Sequence, residues 1–212
     1  MDRKRIAAFL SPFIPGDAVE HTTDLFCNDP VQLRITRSRK TKYGDYRPPY
    51  NGKGHRISVN GDLNRYAFLI TLIHELAHYH VQVKFGNTVK PHGIEWKQTF
   101  RKLMVPLLNN RVFPDELLQK MRIYMSNPKA STCSDPLLLR TLNQYNPNPE
   151  TYLDDLKPGD LFIMNNRVFQ KKEKRRTRHL CIELPQKRQV LINGIAPVQP
   201  VENPKLAKKE TK

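Results

Sequence analysis

Three side chains in the run FLITLIHELAHYHV, residues 68–81, are out of place in an apolar segment: His74, Glu75 and His78. Residues four apart on an α-helix lie on one face about a turn apart, so His74 and His78 can offer two imidazole nitrogens to one ion. Glu75, one step round the helix, is held beside such an ion rather than on it. This HExxH spacing is that of the zinc peptidases, two ligands plus a general base. Leu69, Leu72, Ile73, Leu76 and Ala77 form a core-facing stripe, which predicts a buried helix with the polar trio in or beside an interior cleft. Burying two histidines and a carboxylate with nothing to coordinate would be costly.

A catalytic zinc takes three protein ligands and leaves one position open for water. The remaining histidines His21, His55, His80, His92 and His179, and the carboxylate of Glu95, are the candidates for the third. His80 is two residues beyond His78, so the helix turns it to the opposite side. His92 follows a loop, and Gly93 beside it permits close backbone approach. Glu95 is its competitor: it lies one turn along the next helix and could bind the ion or orient a ligand.

These residues need a frame, and residues 1–127 read as α+β. A first amphipathic helix lies in MDRKRIAAFLSPFIPG, whose apolar stretch is broken at Ser11 and Pro12, too short for the core of an export signal. A helix is predicted over 17–26, and VQLRITRS alternates as a half-buried strand does. KYGDY offers a turn or bulge, RPPYNGKGH a loop, and RISVN another short strand. The long helix is predicted over 62–85, with Gly86 and Asn87 as its stop. Two more follow, in GIEWKQTFRKLMVPLL and FPDELLQKMRIYM. Residues 128–150 are rich in Pro and Asn and read as a linker holding one short helix near Leu137–Leu142. Residues 151–200 switch to strand signals, a small antiparallel β unit, and 201–212 read as a disordered basic tail.

The chain of 212 residues carries a net charge of +16, which favours nucleic acid or another polyanion as partner. Eight basic residues fall between Arg34 and Arg56 against one acid, Asp45, among them Arg37, Arg39, Lys40 and Lys42. A second cluster, RVFQKKEKRRTR, holds seven against Glu173 alone: Arg167, Lys171, Lys172, Lys174, Arg175, Arg176 and Arg178. Tyr43, Tyr46, Tyr50 and Phe169 sit within these runs, and rings stack on unpaired bases while charge tracks the backbone. No run has the apolar length needed to cross a bilayer. The three cysteines, Cys27, Cys133 and Cys181, form no CxxC pair and no disulfide framework. Reduced thiols fit a cytoplasmic protein, nucleoid-associated if it binds DNA.

FLITLIHELAHYH followed by KPHGIEWKQTF resembles the SprT-like metalloprotease family, whose eukaryotic relative Spartan repairs DNA–protein crosslinks. The family pattern is a strand ending in Asn or Ser, a helix with HExxH, and a His-Gly-x-x-aromatic element. Here they are matched by RISVN, by His74 to His78, and by His92-Gly93-Ile94-Glu95-Trp96. The resemblance spans roughly residues 10–125. It implies a zincin-like metalloprotease domain of helices plus a small antiparallel sheet, one Zn(2+) held by His74, His78 and His92, and Glu75 as catalytic base. It also implies a protein substrate bound or crosslinked to DNA, with single-stranded or duplex DNA as partner. Many relatives carry a four-cysteine zinc ribbon near the C-terminus; here residues 158–199 hold only Cys181, so no structural zinc is expected there. Two rival readings remain: a DNA-binding module braced by zinc, and a zinc peptidase indifferent to DNA.

Overall fold

Helix α3, Arg65–Phe85, is the axis around which the first part of the chain is built. From Ala67 to Ala77 every residue is buried, so the helix is enclosed on all sides and not merely along one stripe. Its start is fixed by Asn64, whose side-chain oxygen accepts from the N–H groups of Tyr66 and Ala67 at 3.1 and 3.0 Å. Such a cap satisfies two of the donors that a helix start leaves without partners. The predicted start at Asp62 thus moves inward by three residues.

The computed structural model describes residues 2–39, 41–129 and 135–201. Lys40, Cys133 and the basic tail from 202 onward lie outside the described residues. Two units are distinguished, Met1–Pro147 and Asn148–Lys212. Among the described residues there are six α-helices and two sheets, an α+β architecture. None of those helices is long and apolar enough to cross a membrane.

In the first unit, α1 (Arg3–Leu10) and α2 (Val19–Asn28) precede strands β1 (Val31–Thr36), β2 (Gly44–Arg47) and β3 (His55–Asn60). The sheet order is β1-β3-β2. β1 runs parallel to β3 and β2 antiparallel to it, so the sheet is mixed rather than antiparallel as expected. Hairpin signals in a sequence report only the β2–β3 partnership; the parallel pairing of β1 is a long-range contact with no turn to announce it. Ile57 and Val59 are fully buried on one face of β3, against the core that includes α3. Helices α4 (Ile94–Met104), α5 (Asp115–Ser126) and α6 (Pro136–Asn143) complete the unit.

Helix α6 corrects the expected linker over 128–150. Leu138 and Leu142 are buried in the same core as α3, and Asn64 Nδ2 donates to Leu142 O at 2.9 Å. Proline and asparagine at its flanks punctuate the chain without separating it from the unit.

In the second unit, β4 (Thr151–Tyr152), β5 (Leu161–Met164), β6 (Arg167–Arg175), β7 (Arg178–Leu184), β8 (Arg188–Asn193) and β9 (Pro197–Pro200) form a sheet of order β4-β9-β5-β6-β7-β8. Its pairings are antiparallel. Phe162 and Phe169 stand opposite one another across β5 and β6 with ring centroids 5.4 Å apart. Leu153, Cys181, Ile192 and Val198 close a small core around them.

The same unit corrects the assignment of Lys171 to a nucleic-acid surface. It is 3% exposed, and its Nζ donates to the carbonyls of Leu153 and Leu156 at 2.7 and 2.6 Å. The ammonium thus closes the 3-10 turn Leu153–Asp155 from within. A register shift between Lys171 and Lys174 interrupts the β6–β7 ladder at this point. Lys174 pairs with Asp154, and Arg175 with Glu173. Lys172 is half-buried, whereas Arg176 and Arg178 are exposed at the hairpin end.

Candidate metal centre

Helical spacing brings His74 and His78 together on α3, and the loop before α4 delivers His92 against them. Their Nε2 atoms form a triangle with edges of 3.2 Å (His74–His78), 3.0 Å (His78–His92) and 3.3 Å (His74–His92). A bare ring nitrogen only accepts a hydrogen bond and a protonated one only donates. Among three such atoms two must share a role, so at least one edge sets donor against donor or lone pair against lone pair. Hydrogen bonding therefore cannot satisfy this triangle. Ligands about 2.0–2.1 Å from a tetrahedral zinc stand about 3.3 Å apart, and the observed edges match that spacing.

The rings are also in the protonation state that ligation needs. Burial pushes His74 down to about 2, with further depression from His78 and His92. Burial and the neighbouring His92 bring His78 down to about 4, and burial lowers His92. All three are neutral near pH 7, with lone pairs free to bind a cation. Among the described residues they are the group of histidine, cysteine or acidic side chains able to share one ion.

Trp96, on the first turn of α4, braces the cluster. Its ring is fully buried, with centroids 4.5 Å from His74, 4.8 Å from His92 and 5.4 Å from His78. Phe100, one turn on, stacks behind it at 5.0 Å. Gly93 begins α4 in extended backbone. A Cβ there would meet Glu95 Oε2 at 3.0 Å and Lys90 O at 3.1 Å, so glycine is what lets the loop turn beside His92.

The other candidates for a third ligand lie elsewhere. His80 turns away, with Nε2 3.0 Å from Asp29 Oδ2. His55 Nδ1 is 2.7 Å from the hydroxyl of Tyr46, and His179 faces Asp154 at 2.7 Å. Glu95 folds back over Gly93 and does not join the donor group.

Glu75 is buried beside the histidines, with strand β2 laid across it. Burial is the main force raising its carboxyl, to about 8; the charge of Asp45 adds to it. The Tyr46 backbone N–H and the cations of Arg39 and Lys42 act the other way. A metal cation held by the neighbouring histidines would act in the same direction as those cations and favour the carboxylate.

Sequence reasoning missed what aligns β2. Asn60 ends β3 and is 1% exposed. Its Oδ1 accepts from Arg39 Nε at 2.7 Å, and its Nδ2 donates to the carbonyls of Lys42 and Arg39 at 3.1 and 3.3 Å. Asn60 thereby ties down the loop that carries the chain into Gly44. Arg39, expected on a nucleic-acid surface, is half-buried and also donates to Ser58 Oγ at 3.0 Å; it is part of this knot. Lys42 is paired with Asp45 at 2.8 Å, and Arg37 is exposed just beyond β1. The polar residue that ends RISVN was the available signal.

Fold and site together define an α+β unit with a helix-borne tri-histidine cluster suited to one metal ion and a buried carboxylate adjoining it. Residues 20–118, which contain the three-stranded sheet, α3 and the whole cluster, match the model of the SprT-like family. Comparison with curated proteins and with solved structures yields no match.

Proposed function

We propose that the chain is a zinc-dependent endopeptidase of the HExxH type, with a zincin-like first unit. The single observation that carries the reading is the Nε2 triangle of His74, His78 and His92, which hydrogen bonds cannot satisfy, with Glu75 buried alongside. When bound, zinc in a three-histidine site with an open position lowers the pKa of a water ligand to about 7 and polarises a carbonyl. Glu75 takes the water's proton on its carboxylate and passes it to the departing amine. Arg39 and Lys42 favour the charged form of Glu75, and the Tyr46 N–H helps to fix its orientation. Trp96 keeps the three rings in register.

The substrate we propose is protein bound or crosslinked to DNA. Its support is the charge of +16 and the resemblance of residues 20–118 to the SprT-like family. The test is cleavage of a DNA-binding protein with and without single-stranded and duplex DNA, before and after metal removal by a chelator. Cleavage that needs both zinc and DNA is the expected result. Zinc-dependent cleavage indifferent to DNA would leave a general peptidase. DNA binding with zinc bound but no cleavage would leave a binding module braced by metal.

A further inference from the structure

The three-stranded sheet has a second face, turned away from the core. Side chains alternate along a strand, so while Ile57 and Val59 enter the core, Arg56 and Ser58 point to the opposite side. The register sets Gln32, Arg56 and Arg47 in one row across β1, β3 and β2, and Arg34, Ser58 and Asp45 in the next. These rows line a groove of about 450 Å³, which Lys53 also borders.

Its electrostatics are unbalanced. Asp45 is the acid lining the groove, and its oxygens are already engaged by Lys42 Nζ and Arg47 Nε, both at 2.8 Å. Arg34, Lys53 and Arg56 have no ion pair among the described residues. Arg56 Nε is buried without a hydrogen-bond partner. A buried donor without a partner costs free energy, and like charges gathered in a groove repel. An anion in the groove relieves both.

The hairpin between β2 and β3 adds a second kind of contact. Tyr50 and Lys53 exchange backbone hydrogen bonds of 3.0 and 3.1 Å around Asn51 and Gly52, whose φ values of 48° and 73° suit a tight two-residue turn. The turn leaves Tyr50 71% exposed, bridged through the backbone to Lys53, which borders the groove. An exposed ring on the same turn as a groove-lining lysine matches a phosphodiester chain whose bases are unpaired: phosphates meet the charges and a base covers the ring. An acidic peptide would use the cations alone.

We propose that this outer face is a binding site for single-stranded nucleic acid, with Arg34, Lys53 and Arg56 on backbone phosphates and Tyr50 stacked on an unpaired base. The proposal deepens the function given above, and rests on it only for the link between binding and proteolysis. Strand β2 joins the two: Gly44 lies against Glu75, while Asp45 and Arg47 border the groove.

The test is fluorescence anisotropy of labelled oligothymidylate on the full chain over a salt series. Each phosphate neutralised on a single strand adds about 0.7 to the slope of log affinity against log salt, so Arg34→Ala with Arg56→Ala should reduce that slope by about 1.4. Tyr50→Ala should weaken binding about tenfold and leave the slope unchanged. Zinc content and thermal midpoint equal to wild type confirm that each variant is folded, and Arg34→Lys with Arg56→Lys should retain most of the binding. Unchanged affinity and slope in the alanine variants would overturn the proposal. Equal competition by polyglutamate, or duplex bound as well as oligothymidylate with Tyr50 irrelevant, would overturn it too. Binding is read without proteolysis, so failure of the peptidase reading and failure of this one are separately visible.

Discussion

A Cβ on Gly44 would stand 2.5 Å from Glu75 Oε1 and 2.8 Å from its Cγ, with Thr71 Cγ2 at 2.7 Å. The first residue of β2 is glycine because the carboxylate of α3 occupies the space a side chain would need. Gly44→Ala must therefore move the strand or the carboxylate. Displacement of a reacting group by about 1 Å can cost on the order of 100-fold in rate, and that loss in kcat is expected here with zinc still bound. Steady-state cleavage and metal analysis of one preparation would check both halves; an unchanged kcat would remove this packing from the mechanism.

His80 and His92 are a matched pair for testing which imidazole joins the triangle. His92 Nε2 lies 3.0 Å from His78 Nε2, whereas His80 faces Asp29 on the other side of α3. His92→Ala should strip zinc from the purified chain, and His80→Ala should retain it. Equal metal content in the two would disqualify His92.

Lys171 tests how the second unit holds together. Replacement by methionine keeps the length of the side chain and leaves the carbonyls of Leu153 and Leu156 without their donor. Hydrogen bonds to a charged group contribute about 1.5–3 kcal/mol each, and unsatisfied carbonyls add a penalty. Lys171→Met should destabilise the unit by about 2–4 kcal/mol, read as faster amide exchange in β6 and β7. Weaker oligonucleotide binding with unchanged exchange would place Lys171 on the nucleic-acid surface after all.

Asp154 gives the second unit an acid limit. Burial alone would raise its carboxyl, but hydrogen bonds from His179 and Lys174, with their charges, hold it below the usual carboxylate value. A depressed folded-state pKa contributes stability above the unfolded value near 3.9, lost as pH falls through the folded one. Asp154→Asn should therefore lower the urea midpoint of the second unit at pH 7, and the difference from wild type should shrink as pH falls below the usual carboxylate range. A difference that stays constant across this range would mean that charge is not the contribution.

What can be read from the sequence follows the range of the interactions. His74, Glu75 and His78 are legible because helical spacing is local and an apolar run around them signals burial. His92 needs the resemblance, since no local rule carries a loop residue back onto a helix. The parallel pairing of β1 with β3 and the fit of Gly44 against Glu75 are not legible, both being contacts between distant segments. A lysine in a run of cations reads as solvated, and only the register shift in β6 and the carbonyls of the 3-10 turn show why Lys171 is interior. Helix α6 looks like a linker because its proline and asparagine neighbours are local signals, whereas burial of Leu138 and Leu142 is a tertiary one.

The most direct measurement takes wild type and Glu75→Gln through the same two assays, zinc per chain and cleavage of a DNA-bound protein. One zinc in each, with cleavage abolished in the variant, is the predicted result. A variant that cuts as fast as wild type, or a wild-type chain that holds no zinc, would contradict it.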